Sequence, residues 1–127
     1  MWKEYNPNPT GRRVEDCSVR AVAKALGITW EDAFALLSKN AYQMGDMAHS
    51  NSVIGSVLRM HGFYRKAIPN RCPDCYTAED FLRDHPRGTF VLFFGNHVAT
   101  GKDGILFDTW DSSGLSPQYV WFRPQEV

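Results

Sequence analysis

Three residues of this sequence have the chemistry of a nucleophile, a base and an acid: Cys17, His97 and Asp108. A cysteine thiolate attacks carbonyl carbon, a histidine moves the proton, and a carboxylate orients the imidazole ring. A cysteine followed far downstream by a histidine and an acid is the order expected of a cysteine hydrolase. The alternative for a single cysteine is a small buried apolar side chain without a role in chemistry.

The residues around Cys17 predict that it begins a helix. Asp16 is a typical N-cap residue, residues Cys17 to Leu26 have helical composition, and Gly27 is a typical stop. A sulfur in the first helical turn lies near unpaired backbone N–H groups and the positive end of the helix dipole, which favour the thiolate. The apolar stripe of this helix consists of Val19, Val22, Ala23 and Leu26. Cys17 lies roughly opposite the centre of this stripe, and we therefore expect the thiol to lie off the core-facing side.

A turn flanked by glycines predicts a β-hairpin that brings His97 close to Asp108. If the hairpin loop is Lys102-Asp103, the two residues face each other across the strands. If the loop is Asp103-Gly104, they are diagonal neighbours on the same face of the sheet. A simple three-residue loop would instead place them on opposite faces. Either two-residue loop therefore brings the acid to the imidazole.

Other residues compete for these roles. Asp111 is the rival acid, and its alternative role is that of a turn residue in the Asp-Ser-Ser-Gly segment that it begins. The alternative for His97 is a turn histidine after Gly95-Asn96. Of the four histidines, only His97 begins a predicted strand beside a matching acid, so we favour it as the base.

The rest of the chain predicts helices first and strands afterwards, which is the order of an α+β fold with helices packed on an antiparallel sheet. Residues 1–15 are expected to form an irregular lead-in, and residues 40–51 a loop. Helices are expected at about 17–26, 30–39, 52–61 and 78–84. Strands are expected at about 89–94, 97–100, 105–108 and 119–122. The length predicts a single domain over residues 1–127.

Composition and charge argue against several classes of function. The 14 Lys and Arg residues balance the 14 Asp and Glu residues, so we expect no general affinity for nucleic acid or acidic membranes. No apolar run is long enough to span a bilayer, and the N-terminus lacks the apolar core of a signal peptide. Three cysteines are an odd count rather than a disulfide framework, which favours a reducing, cytoplasmic setting.

Cys72 and Cys75 have the two-residue spacing of half a zinc site, but no second pair is present. His61 and His85 would have to fold inward to complete such a site. A redox dithiol is less favoured, because no convincing helix of a βαβ unit follows the pair. We therefore interpret Cys72 and Cys75 as two loop thiols and expect neither a metal nor a cofactor.

The segments Asp16-Cys17-Ser18-Val19-Arg20-Ala21 and Asp108-Thr109-Trp110, with His97 between them, resemble motifs of the papain-like cysteine peptidase superfamily. The first segment is similar to small bacterial and phage-type members. The second is similar to the superfamily's third catalytic residue, which is Asn or Asp and which in papain itself is followed by Ser-Trp. The resemblance covers most of the chain as an order of motifs. It implies a papain-like fold, a cleft between the nucleophile helix and the sheet, and a peptide or protein substrate.

The chain departs from the papain-like pattern at the oxyanion hole. Papain-like enzymes usually carry a Gln about half a dozen residues before the cysteine, whereas Gly11 and Arg12 stand there in this chain. We expect Asn8 or Asn6 to supply the amide, with Asn8 favoured because it is nearer, and the Cys17 backbone N–H to be the second donor. The alternative is that both asparagines serve only turn chemistry.

Two other functions remain open at this point. The same triad supports acyl transfer to an amine or deamidation of Gln, because only the attacking and departing groups differ. A third possibility is a binding module on a catalytically inactive papain-like scaffold.

Arg20 lies on the Cys17 side of the helix, where it either pairs with a carboxylate near the cleft or is exposed, the more common state.

Overall fold

The computed structural model describes residues 1–124 and has four helices and one six-stranded sheet in that range. The helices are α1 (Cys17–Leu26), α2 (Trp30–Met44), α3 (Asn51–Met60) and α4 (Ala78–Asp84). The strands are β1 (Trp2–Glu4), β2 (Tyr64–Ala67), β3 (Thr89–Phe93), β4 (Val98–Lys102), β5 (Ile105–Asp108) and β6 (Tyr119–Phe122). The predicted α+β class is therefore confirmed. Residues 125–127 of the predicted domain lie outside the described residues.

The sheet is mixed, and its strand order is β1-β5-β4-β3-β6-β2. Neighbouring strands are antiparallel except at one edge, where β1 runs parallel to β5 and Glu4 pairs with Asp108. The prediction of an antiparallel sheet is thus wrong at this edge, and the irregular lead-in contains a strand. Neither β1 nor β2 was expected, because β1 has only three residues and β2 is exposed at every position, so neither shows an apolar strand pattern.

The predicted loop over residues 40–51 is wrong in its first part, because α2 continues to Met44. Asn40 is disfavoured inside a helix in general, but here it is buried and its amide donates a 3.0 Å hydrogen bond to Ser56 Oγ of α3. This contact outweighs the local preference. Gly45 then ends the helix in the left-handed conformation, with φ at 66°.

Helix α1 packs against β4 and β3 of the sheet and also against α2. It is therefore buried over most of its surface, and even Ser18 and Arg20 are only 5% exposed. The prediction of a single apolar stripe was too narrow, because that pattern does not anticipate a helix with neighbours on several sides. Cys17 remains half-buried because it lies at the end of α1, where a cleft begins.

The second layer packs α4 on the other face of the sheet. In β3, Val91 and Phe93 belong to the core around α1, whereas Phe90 and Leu92 belong to a second apolar cluster with α4. All residues of β3 are buried, as is typical of a central strand covered on both faces.

Gly101 on β4 lies directly against Leu82 of α4. A Cβ atom at Gly101 would lie 2.5 Å from Leu82 Cδ2, so Gly101→Ala is expected to lower the free energy of unfolding by about 1–3 kcal/mol. Urea unfolding measures this loss. Gly114→Ala is the matched control, because no atom lies within 4 Å of the added Cβ and φ there is not positive. Equal stability of both variants would contradict this packing.

Candidate active site

Cys17 is the first residue of α1, and the residue before it does not cap the helix as predicted. Asp16 occupies the N-cap position, but its side chain makes no capping hydrogen bond. Its carboxylate instead binds the Arg20 guanidinium and accepts a 2.9 Å hydrogen bond from Trp30 Nε1. The backbone N–H groups beside Cys17 therefore receive no capping bond from Asp16, and the end of α1 can stabilise an anion.

His97 lies beside the Cys17 thiol, immediately before β4. Cys17 and His97 line the same two cavities, and the imidazole and the Val98 backbone N–H lie close enough to the thiol to lower its pKa. Strand β4 is tied to α1 by the Thr100 hydroxyl, which donates a 2.7 Å hydrogen bond to the Ala21 carbonyl about one helical turn from Cys17. Packing of β4 on α1 therefore holds the imidazole against the sulfur.

Asp108 contacts the other side of the imidazole, with His97 Nε2 at 2.6 Å from Asp108 Oδ2. The hairpin loop that brings them together is Asp103-Gly104, since Lys102 pairs with Ile105 and both loop residues have positive φ. Of the two predicted loops, Lys102-Asp103 is therefore wrong, and His97 and Asp108 are diagonal neighbours. Because Asp108 occupies Nε2, Nδ1 is the ring nitrogen left available to the thiol.

The Asp108 carboxylate is 1% exposed and accepts four hydrogen bonds. Oδ1 accepts from Arg20 Nη2 at 3.0 Å and from the Thr109 backbone N–H at 2.7 Å. Oδ2 accepts from His97 and from the Ser112 hydroxyl, each at 2.6 Å. Burial alone would raise the pKa of Asp108, but the hydrogen bonds from His97 and Ser112 outweigh it and lower the pKa. Asp108 is therefore a stable anion.

The pKa of Cys17 is lowered and that of His97 is raised, so each shift favours the charged form of its own residue. Burial raises the pKa of the thiol, but hydrogen bonds from His97 and Val98 and the charges of His97 and Arg20 bring it below its usual value. Burial has the opposite effect on the imidazole and lowers its pKa, but interactions with Asp108 and Cys17 outweigh burial and raise the pKa of His97 to about 9. Together these shifts favour a thiolate–imidazolium pair near neutral pH.

Two cavities meet at Cys17 and His97. The larger has a volume of about 640 Å³ and is walled by Trp110, and the smaller has about 330 Å³ and is walled by Ile54. The His97 ring lies between Phe94 and Trp110, with centroid distances of 6.0 and 5.0 Å, and its side chain is only 13% exposed. The thiol thus opens on a cleft while the imidazole is largely shielded from water.

The structure does not bring the two candidate oxyanion-hole asparagines to Cys17. The Asn6 amide donates to the carbonyls of Gly11 and Arg12, each at 3.2 Å. The Asn8 side-chain oxygen accepts from the Thr10 backbone and hydroxyl at 2.9 and 2.8 Å. Neither asparagine lines the two cavities at Cys17. The expected amide role is therefore corrected: both side chains stabilise the turns of their own loop.

The rival acid Asp111 also lies outside this contact set. Its exposed carboxylate accepts hydrogen bonds from the Ser113 backbone at 3.1 Å and from the Ser113 hydroxyl at 2.5 Å. This is the turn role that its sequence context indicated. Asp108, rather than Asp111, is the carboxylate in contact with His97.

Arg20 and Ser112 also belong to the site: pairing of Arg20 with a carboxylate near the cleft was one of its two alternatives, whereas Ser112 was not predicted there. Arg20 lies buried between Asp16 and Asp108, so the exposed alternative for Arg20 is wrong. The spacing of Asp16 and Arg20, four residues apart on a helix, was a usable signal for this ion pair. Ser112 is fully buried under Asp108, and no local pattern identifies a loop serine in that role.

Cys72 and Cys75 form a disulfide bond, so the interpretation as two loop thiols is wrong. A β-bridge between Arg71 and Asp74 brings the two Cα atoms to 4.5 Å, which is within disulfide range. Cys17 is the free cysteine of the chain.

Within residues 1–124, no cluster of three or more His, Cys, Asp or Glu side chains is arranged to hold a metal ion. His61 and His85 each place Nδ1 2.8 Å from a carbonyl of their own helix, so neither folds inward toward Cys72 and Cys75. No helix in the same range has the length and apolar character needed to cross a membrane.

Comparison with protein-family models, curated proteins and solved structures finds no match to this chain. Its function is therefore inferred from the contacts of the site itself.

Proposed function

We propose that this protein is a cysteine-dependent hydrolase of peptide or isopeptide bonds. In this proposal Cys17 is the nucleophile, His97 is the general base and acid, and Asp108 orients His97. The observation that carries the proposal is that Cys17, at a helix N-terminus, shares a cleft with His97, whose Nε2 lies 2.6 Å from the buried Asp108 carboxylate. This combination supplies an activated nucleophile and room for a substrate.

The proposed reaction has two halves. The Cys17 thiolate attacks the carbonyl carbon and forms a C–S bond, and the His97 imidazolium gives its proton to the departing amine. Water then attacks the thioester while His97 takes a proton from it, and the carboxylic acid product leaves with the regenerated thiolate. Asp108 keeps the imidazole in the required orientation and stabilises its positive charge throughout.

The negative charge that develops on the carbonyl oxygen needs hydrogen-bond donors. We assign one of them to the Cys17 backbone N–H, because the first turn of α1 receives no cap from Asp16. The second candidate is the Asn96 amide, since Asn96 lines both cavities at Cys17. This assignment replaces the role expected for Asn8 and Asn6.

The papain-like resemblance supports the same proposal. A cysteine on a helix and a histidine beside a strand, facing each other across a cleft, are the arrangement that the resemblance implies. On this basis the protein is proposed to be a small papain-like enzyme of bacterial or phage type that acts on a peptide or protein. The expectation of a reducing, cytoplasmic setting rested on three unpaired cysteines, and the Cys72–Cys75 disulfide removes that basis.

Acyl transfer to an amine and deamidation of Gln would use the same residues. A labelled acyl donor, incubated with and without an added amine, separates these reactions from hydrolysis. An inactive binding module is the remaining alternative, and it requires an unactivated Cys17. The reactivity of the thiol is therefore measured first.

The rate of Cys17 alkylation by iodoacetamide, followed by mass spectrometry across pH, tests the proposal. Labelling is expected to remain fast well below the usual thiol pKa of about 8.5, because the pKa of Cys17 is lowered. In His97→Ala the hydrogen bond and positive charge beside the sulfur are lost, and labelling near pH 6.5 is expected to slow by about tenfold or more. His61→Ala removes a histidine distant from the cleft and should leave the rate unchanged.

Cys72 and Cys75 provide internal controls in the same sample. After mild reduction and removal of the reductant, they report the reactivity of ordinary loop thiols. If Cys17 in the folded wild-type protein reacts no faster than they do, the hydrolase proposal is wrong and the binding module is favoured.

A further inference from the structure

A second groove, of about 350 Å³, lies between α3 and the end of the sheet formed by β2 and β6. Arg59 of α3 and Arg65 of β2 line it together with Tyr119 and Trp121 of β6. The Arg59 guanidinium lies 5.3 Å from the Trp121 ring, and the Arg65 guanidinium lies 5.2 Å from the Tyr119 ring. We call the cavity lined by these four residues the arginine groove.

The fold brings the two arginines to one face. Arg65 pairs directly with Trp121 in the β2–β6 ladder, so their side chains share a face of the sheet. Helix α3 approaches that face closely because it carries Gly55, where a Cβ atom would lie 2.8 Å from Trp121 Cζ2. A helical glycine costs up to about 1 kcal/mol relative to alanine, and here it lets α3 bring Arg59 over the indole.

The positive charges of the arginine groove are not neutralised within residues 1–124. No ion pair in that range involves Arg59 or Arg65, although other arginines of the chain pair with carboxylates. Both side chains are exposed to solvent. Stacking on aromatic rings restrains guanidinium groups while leaving their N–H edges free to donate.

One further feature adds positive potential to the arginine groove. The first turn of α3 lines it through Asn51 and Ser52, and that turn carries no acidic residue, so the helix dipole contributes positive potential. The groove therefore presents the two guanidinium groups and a helix N-terminus without a matching anion among the described residues.

The arginine groove adjoins the candidate active site. Asn51 lines both this groove and the smaller cavity that contains Cys17 and His97. An extended peptide held with its carbonyl group at Cys17 can therefore continue past Asn51 into the groove.

We propose that the arginine groove is a subsite for an anionic side chain of the peptide substrate, either a carboxylate or a phosphate. This inference rests on the proposed hydrolase function and deepens it by naming a substrate class. Guanidinium groups bind both kinds of anion through paired N–H donors, with charge-assisted hydrogen bonds that neutral side chains cannot match. The substrate is accordingly an acidic or phosphorylated peptide.

Peptide binding to the Cys17→Ser protein tests this subsite without turnover. The probes are acetylated, amidated Ala-Ala-X-Ala-Ala pentapeptides in which X is Glu, phosphoserine or Gln. Titrations are followed by the indole N–H signals in ¹H–¹⁵N spectra, with Trp121 reporting the groove and Trp110 the cleft beside Cys17. The Glu or phosphoserine peptide is expected to bind about tenfold more tightly than the Gln peptide and to shift the Trp121 signal.

Two double variants separate a built subsite from general surface charge. Arg59→Gln/Arg65→Gln should abolish the preference for the anionic peptide. Arg71→Gln/Arg87→Gln removes the same charge from exposed positions outside the groove and should retain the preference. Equal affinity for the Glu, phosphoserine and Gln peptides in the parent protein, or equal loss in both double variants, overturns the proposal.

The same titrations distinguish failure of the subsite from failure of the proposed function. An anion preference in a protein whose Cys17 is unreactive toward iodoacetamide supports the groove and overturns the hydrolase. A reactive Cys17 without anion preference overturns the groove alone. Preference for phosphoserine over Glu, or the reverse, identifies which anion the substrate carries.

Discussion

Cys17→Ala is expected to abolish peptide hydrolysis while the protein folds with nearly wild-type stability. Removing a triad nucleophile lowers turnover by several orders of magnitude, on the order of 10⁴-fold or more, because no other group forms the acyl-enzyme. Stability should change by less than about 1 kcal/mol, since Cys17 is half-buried at a helix end and alanine favours helices. A fluorogenic peptide-amide library measures activity, and urea unfolding measures stability.

The double variant Cys17→Ala/His97→Ala sharpens this experiment. Residues that act as one catalytic unit are non-additive, so the double variant should be no less active than Cys17→Ala alone. Independent, multiplying losses would mean that His97 contributes by a route other than proton transfer with Cys17. Hydrolysis retained in Cys17→Ala at the wild-type rate contradicts the nucleophile assignment directly.

Arg20→Met is expected to cause the largest loss of stability of any substitution near the site, about 3–5 kcal/mol. Asp16 is 6% exposed and Asp108 is 1% exposed, and the guanidinium binds both carboxylates. Without Arg20, both anions stay buried without this counter-charge, and the cost falls directly on the folded state. Urea unfolding at neutral pH measures the change.

The control for Arg20→Met is Arg83→Met, which breaks the exposed Arg83–Asp80 pair. The Arg83 side chain is 67% exposed, and loss of such a pair should cost less than about 1 kcal/mol. Asp16→Asn/Arg20→Met should recover part of the lost stability, because it removes one buried anion together with the cation. Substitution of a surface arginine changes the free energy of unfolding by less than about 1 kcal/mol. If the free energy of unfolding of Arg20→Met differs from that of the wild type by no more than this, the buried ion pairs do not stabilise the fold.

Arg20 also has an effect that a purely structural role would not produce. Burial raises the pKa of Cys17, and the charge of Arg20 lowers it, after the larger lowering effects of His97 and Val98. In Asp16→Asn/Arg20→Met we therefore expect the pH dependence of alkylation to move to higher pH, even if the protein is well folded. An unchanged profile would restrict Arg20 to holding Asp108 in place.

The contact between His97 and Asp108 follows from short-range rules, and this is why the sequence predicts it. An Asp-Gly turn selects a two-residue hairpin loop, and the period of a strand then determines which side chains share a face. The position of Cys17 follows in the same way from the helix that begins with it. These parts of the site depend on residues close together in the chain.

The surroundings of the triad depend on contacts between distant residues, which short-range rules do not reach. The burial of Arg20 results from the packing of α1 between α2 and the sheet, and Ser112 is buried by the path of its loop. Asn8 was favoured because it is near Cys17 in sequence, yet its side chain binds within its own turn. Proximity along the chain was a poor guide to proximity in the fold.

The pairing of β1 with β5 has a consequence for how the molecule acquires its structure. Glu4 pairs with Asp108, and the Tyr5 backbone N–H donates a 2.8 Å hydrogen bond to the Asp108 carbonyl, so the two ends of a very long chain segment must meet. Closing a long loop costs entropy before its contacts form, and such contacts slow folding. During synthesis the first strand must wait until β5 has left the ribosome. A nascent chain therefore carries Cys17 long before it carries Asp108, and under the proposed function we expect catalytic competence to arise only as folding ends.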